Sequence, residues 1–289
     1  LVRKSNLQPG QIPEIDSRML ACAILDENWY HAIDLQKEMA DRYARLNDWP
    51  AVADVHRHLA VYYEQIRDLQ NAENSRSSYR RLVSEYGLDY DTAFAWQHVG
   101  SICIDGGNYQ RAVDFLLRAA SEYKQQNDTQ NQTTALQRLA DVYAYDILDL
   151  TSALRHYEQV TDLIRPQSAR QYATVLLDKS RVLSHYKLYA SATSHVLQAL
   201  AAAQQALEPD LLNQCEMQLA LLSFEQGDML QATAHLDRMA EPMTALLVID
   251  RLLLQSRMAA EQGSWQKAES MARRAIDLAA KSRESHYLV

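Results

Sequence analysis

Apolar positions recur along this chain with two periods at once. The short period is helical. After Ala112, Leu116 and Ala119 follow at +4 and +7. The same offsets give Tyr157/Val160 after Ala153, Val196/Ala199 after Ala192, Leu236/Met239 after Ala232 and Ala272/Ala275 after Ala268. Residues so spaced share one helical face. The long period is near 40 residues. A large apolar residue stands three positions before an alanine in Trp29/Ala32, Leu69/Ala72, Tyr109/Ala112, Leu150/Ala153, Tyr189/Ala192, Met229/Ala232 and Trp265/Ala268. Successive alanines are 40, 40, 41, 39, 40 and 36 residues apart. Such a period marks a supersecondary unit that hides its apolar face only by stacking on its neighbours.

Each alanine is preceded by another stretch with an apolar face, such as Leu59-Ala60-Tyr63 or Trp96-Val99-Gly100-Cys103. The unit is therefore an antiparallel helix pair. Its length accommodates two helices of roughly 16 residues and two turns. The alanine predicts a close approach of the two helices, with the bulky residue before it closing the entrance to the pair. Turn-formers fall where the pairs need them. Gly107, Gly227 and Gly263 each precede the alanine by five residues, where a helix end calls for positive φ. Pro50, Pro166, Pro209 and Pro242 fall between pairs, where a helix start tolerates the missing N–H. The prediction is an all-α fold: a short leader over residues 1–13, then a single array of about seven helix pairs over 14–289. The chain opens on Leu1 and ends inside a helical pattern at Val289, which predicts a piece of a longer protein.

Composition supports this picture. Hydrophobic residues make up 47% of the 289, enough for a substantial core, while Gly (7) and Pro (6) are too few for a turn-rich sheet protein. The formal charge of −8 argues against direct nucleic-acid binding, which needs a positive field. The basic pairs Arg80-Arg81 and Arg273-Arg274 read as solvated helix surface. The acids Glu14, Asp16, Asp26 and Glu27 read as helix-end or surface charges. Cys22, Cys103 and Cys215 are odd in number and far apart, so no disulfide framework is expected and each reads as a small buried hydrophobe. Cytoplasmic, reducing surroundings are the corresponding expectation. No apolar run approaches the 18 or so residues of a membrane span; the best, Ala245 to Leu254, is broken by Asp250 and Arg251.

Catalytic chemistry finds little foothold. There is no Gly-rich phosphate loop, Cys-x-x-Cys, His-Glu-x-x-His or Gly-x-Ser-x-Gly. Of the nine histidines, only His56 and His58 are close in sequence, and on a helix they point about 200° apart, unsuited to sharing a metal. No catalytic residue, cofactor site or metal site is predicted. An open helical groove also excludes water poorly. The expectation is a protein that is not an enzyme.

The third unit carries a resemblance. It reads Trp96, Val99, Gly100 and Cys103, then Gly107-Asn108-Tyr109, Ala112, Leu116 and Ala119. This is similar to the tetratricopeptide repeat, Trp-x2-Leu-Gly-x2-Tyr followed by Ala-x3-Phe-x2-Ala. The sixth unit (Leu219, Ala220, Gly227, Ala232) and the seventh (Gly263-Ser264-Trp265, Ala268) are similar at the turn and second helix. The resemblance runs from about Glu14 onward, and it is to the long-repeat variant, since the usual period is roughly 34. Gln36 and Arg76 depart from the pattern where an apolar residue is usual. The fourth unit carries one extra residue around Tyr145 to Thr151 and lacks the turn glycine.

The resemblance implies a right-handed α-solenoid whose first helices line a concave groove that grips another protein or an extended peptide. Carried over unit by unit, the family's ligand-contacting positions give Asp54, Arg57 and Glu64, then Phe94, Gln97 and Ser101, then Gln137, Asp141 and Tyr145. They continue with Arg181 and His185, then Gln214, Met217 and Phe224, and finally Asp250, Arg257 and Glu261. The strongest candidates are Arg57, Phe94, Gln97, Ser101, Gln137, Asp141, Arg181, His185, Gln214, Phe224 and Arg257. Their amides and guanidiniums suit a peptide backbone, and Phe94 and Phe224 suit apolar anchors. The Lys/Asn cage that holds chaperone tails is absent, its positions reading Ser17 and Ala21, Arg57 and Val61, Gln97 and Ser101. Three roles stay open: a scaffold within a larger regulator or assembly, a ligand- or peptide-sensing regulatory domain, and self-association through uncapped ends.

Overall fold

The structure, a computed structural model, describes residues 12–88, 92–164, 168–241 and 243–286. Every regular element among them is helical, and the helices gather into two compact units that meet in the chain between Leu148 and Asp149. The first unit holds α1 (Ile12–Leu25), α2 (Trp29–Arg45), α3 (Trp49–Gln65), α4 (Leu69–Tyr86), α5 (Ala93–Asp105), α6 (Tyr109–Gln125) and α7 (Thr129–Asp141). The second holds α8 (Leu150–Ile164), α9 (Ala169–His185), α10 (Tyr189–Ala206), α11 (Pro209–Glu225), α12 (Met229–Arg238), α13 (Ala245–Glu261) and α14 (Trp265–His286). These are the two helices of each of the seven predicted pairs.

The alanine register locates the second helices. Each begins at the large apolar residue of its pair: Trp29, Leu69, Tyr109, Leu150, Tyr189, Met229 and Trp265. All seven alanines are buried; six have no exposed surface and Ala268 is 7% exposed. A methyl group there leaves room for a neighbouring backbone. The same close approach shapes Gly100 on α5, where an added Cβ would lie 3.2 Å from Cγ of Leu116 on α6. The bulky residue behaves less uniformly. Trp29 is buried against Tyr62 and Phe115 (centroids 5.7 and 6.2 Å away), but Leu69 and Trp265 are each 70% exposed and close no entrance. A first helical residue points along the turn, so its cover depends on the adjoining helix and not on the pair itself.

The turns have a common construction that glycine marks in only three of seven. The position five before each alanine is left-handed throughout: Gly107, Gly227 and Gly263 share it with Glu27, Arg67, Leu148 and Lys187 at φ of 56–63°. After it comes a side-chain cap in several turns. Asn28, Asp68, Asp149 and Asp228 accept from the N–H three residues on, satisfying a donor that the helix start leaves free. Side-chain hydrogen bonds from Asn71 and Ser152, joined by these backbone N–H donors, hold the Asp68 and Asp149 carboxyls below the ordinary range. Pro50 and Pro209 sit in the first helical turn as expected, while Pro166 and Pro242 lie outside the described residues.

Two of the irregular intervals have local causes. The 41-residue step coincides with a π-helical turn at Val142–Asp146, which inserts one residue into a helix. The 36-residue step coincides with α12, which ends after 10 residues. There the Asn213 amide takes both backbone groups of Ala240, donating to its carbonyl at 2.8 Å and accepting from its N–H at 2.9 Å. Two sequence readings need correction. Cys22 is exposed, unlike the buried Cys103 and Cys215, because it falls on the outer side of α1. Asp16 is not a surface charge; it is 1% exposed and paired with Arg42. Gln36 is buried at 3%, so that departure from apolar character still faces the core.

The left-handed residues yield a test. Leu207 caps α10 at φ 55° and is 84% exposed, so its side chain contributes little packing while its Cβ resists the backbone conformation. Leu207→Gly is expected to raise stability by about 1 kcal/mol, the left-handed cost outweighing glycine's entropy. Urea melts of the two proteins check it, and an unchanged or lower midpoint refutes it.

Candidate binding groove

The strongest candidates lie on the first helices of their pairs. In the first unit they form a knot between α3 and α5. Arg57 pairs with Asp54 one turn earlier and lies over the Phe94 ring, 4.4 Å from its centroid. A guanidinium is suited to this stacking because it is flat and weakly hydrated. Phe94 is 40% exposed, so one face remains open. His58 and His98 complete the knot, their rings edge to face at 5.0 Å. Burial pushes the His58 imidazole down to about 4, against the opposing pull of Asp54, and it stays neutral at physiological pH. Burial lowers His98 as well. Sequence reasoning weighed His58 only beside His56, as a metal pair unsuited by its spacing, and did not single out His98. Among the described residues no group of three or more His, Cys, Asp or Glu is placed to hold a metal.

Further along, Ser101 donates to the Gln97 carbonyl at 3.0 Å and accepts from Arg138 of α7. Arg138 was missed because it lies one residue beyond the carried-over position, Gln137. Gln137 is half-buried and Asp141 exposed on the same helix. Tyr145 lies in the π-helical turn and is 42% exposed.

In the second unit the candidates converge on one cleft. Arg181 of α9 donates to Asp178 at 2.7 Å and reaches Gln214 of α11 at 3.4 Å. Arg257 of α13 donates to Glu225 at 2.6 Å and covers the Phe224 ring at 4.7 Å. Between these two arginines opens a cleft of about 690 Å³, within the range of ligand-binding pockets. Its polar lining is Arg181, Gln214, Gln218, Thr244, Asp250 and Arg257; Met217, Leu221, Leu246, Leu247, Leu253 and Leu254 supply the apolar part. Phe224 lies under Arg257 outside the lining, and His185 stands exposed at the end of α9 against Tyr186.

The leucines of this cleft carried a readable signal. Ala245 to Leu254 is the most apolar run in the chain, richer than one buried helical face requires. Leu247, Leu252 and Leu254 go to the core, whereas Leu246 and Leu253 remain 69% and 44% exposed. The excess goes to the cleft. No helix among the described residues is long and apolar enough to cross a membrane.

No protein-family model and no curated protein matches this chain. Solved structures do. A Rap protein complexed with Competence and Sporulation Factor matches over 97% of this chain and 80% of its own, at 15% identity and a TM-score of 0.56. The apo form of RapI matches over 93% and 76%, at 14% identity and a TM-score of 0.55. A tetratricopeptide repeat protein from Parabacteroides merdae matches over 92% of both chains, at 14% identity and a TM-score of 0.52. The repeat register, the all-helical pairs and these likenesses agree: the chain has the tetratricopeptide-like α-solenoid fold.

Proposed function

We propose that this chain is a non-catalytic scaffold that binds another protein, or an extended peptide, on the faces of its first helices. One observation carries the reading. Arg181, Gln214 and Arg257, chosen from the repeat register, line the same open cleft with an apolar floor. That combination suits recognition: apolar groups supply affinity, and a few amides and guanidiniums fix orientation. The Arg57–Phe94 stack offers a second contact surface of similar chemistry in the first unit. A peptide-display library panned on the chain tests the proposal. Selected peptides are expected to lose at least about tenfold in affinity for an Arg181→Glu, Gln214→Ala variant. Unchanged binding would remove the groove as the site.

A sensing role is the second reading, favoured by the match to a Rap protein solved with Competence and Sporulation Factor. In that role ligand binding controls an attached regulatory activity. Attached domains in the full-length protein, and a ligand-dependent change in their output, separate it from a passive scaffold.

A further inference from the structure

The cleft of the second unit has features that its arginines do not explain. Both guanidiniums are already neutralised, Arg181 by Asp178 at 2.7 Å and Arg257 by Glu225 at 2.6 Å. Asp250, between them in the lining, forms no ion pair with any described residue. Partial desolvation by the cleft walls pushes its carboxyl up although the side chain remains exposed, with Arg181 pulling the other way. The cleft therefore presents an acid that makes no close ion pair with a described residue and feels Arg181 only from farther away. Beside it, Gln218 is 7% exposed and its amide Nε2 has no hydrogen-bond partner. A buried donor without an acceptor is costly, so an acceptor brought into the cleft beside it is favoured. Leu246 and Leu253 hold apolar surface open to the same space.

We propose that this cleft takes an extended polypeptide segment of a partner protein in which large apolar side chains flank a lysine or arginine. The proposal rests on the binding reading above and specifies the chemistry of its occupant. Each feature selects one property. The leucines select apolar side chains, which leave water on contact. The free carboxylate selects a cation, and like charge at that point is penalised. The Gln218 donor selects an extended backbone, because a helix has already used its carbonyls within itself while an extended strand offers them outward. Acidic peptides and nucleic acids, which would bring negative charge to Asp250, are disfavoured.

Short capped fluorescent peptides in a Gly/Ser background, with Leu-Lys-Leu, Leu-Glu-Leu or Ser-Lys-Ser at the centre, provide the test by anisotropy with the full chain. Leu-Lys-Leu is expected to bind at least about tenfold more tightly than either other peptide, roughly the effect of one well-placed contact. Asp250→Lys is expected to invert the preference toward Leu-Glu-Leu; Asp250 is exposed, and thermal melting confirms that the variant is folded. Leu253→Ser is expected to weaken both leucine peptides alike. Equal or tighter binding of Leu-Glu-Leu to the native chain overturns the proposal. So does a preference that survives Asp250→Lys, or binding by none of the three peptides. In those cases display-selected peptides that still depend on Arg181 would leave the broader groove reading standing.

Discussion

Leu116→Ala is expected to destabilise the first unit by about 2–5 kcal/mol, the range for a fully buried leucine cut back to Cβ. Leu116 has no exposed surface and lies against Gly100, where α6 packs closely on α5. Leu117, its neighbour in sequence, is 42% exposed, so Leu117→Ala is the control and is expected to cost far less. The glycine makes the experiment more specific. In the native chain an added Cβ at Gly100 would meet Leu116 Cγ and Cδ2 at 3.2 and 3.3 Å, a crowded approach. In Leu116→Ala those atoms are gone, and the same methyl enters vacated space. Gly100→Ala is therefore expected to be less harmful, or favourable, in the Leu116→Ala background, and a double-mutant cycle in urea reads the coupling. Additive effects would mean that the two helices do not pack at this point.

Ala192→Leu is the converse experiment in the second unit. Ala192 is fully buried in a cluster with Leu176, Leu177, Val196, Ala199 and Leu219, and it occupies the register position that recurs seven times. Three added carbons have no space there. Overpacking of this kind costs about 1–3 kcal/mol, and more where the backbone cannot yield. Leu197 on the same helix is 52% exposed; its replacement by lysine is expected to lie within about 0.5 kcal/mol of the native chain. A tolerated Ala192→Leu would show that the alanine register reflects helix propensity alone. It would then carry no information about how closely helices approach.

The two predictions bear on what the sequence could reveal. The helix pairs were legible because burial has a period: a helix that must hide one face repeats its apolar positions, and a stacked unit repeats them again near 40 residues later. That argument located all seven second helices, whose starts in the structure, from Trp29 to Trp265, coincide with the large apolar residue of each pair. The groove candidates came from the resemblance, whose ligand-contacting positions were carried over unit by unit along the register. The cleft was partly legible, as the surplus of leucines in Ala245 to Leu254.

Other features could not be read in this way. Glu27, Arg67, Leu148 and Lys187 adopt positive φ although nothing in their side chains demands it; the turn between two packed helices imposes it, and glycine is merely the easiest occupant. Asp16 appeared to be a surface acid until folding placed Arg42 of another helix beside it. The ionic partners of Arg181 and Arg257 are likewise set by neighbouring side chains, which is why an Asp250 without a close ion pair emerges only from the structure. The sequence by itself determined the pairing of helices and which side of each is buried, because both follow from spacing along one element. The tertiary structure alone decided which charges are paired, which alanine-preceding residues are covered and where a cleft opens, because those depend on contacts between elements that no local period encodes.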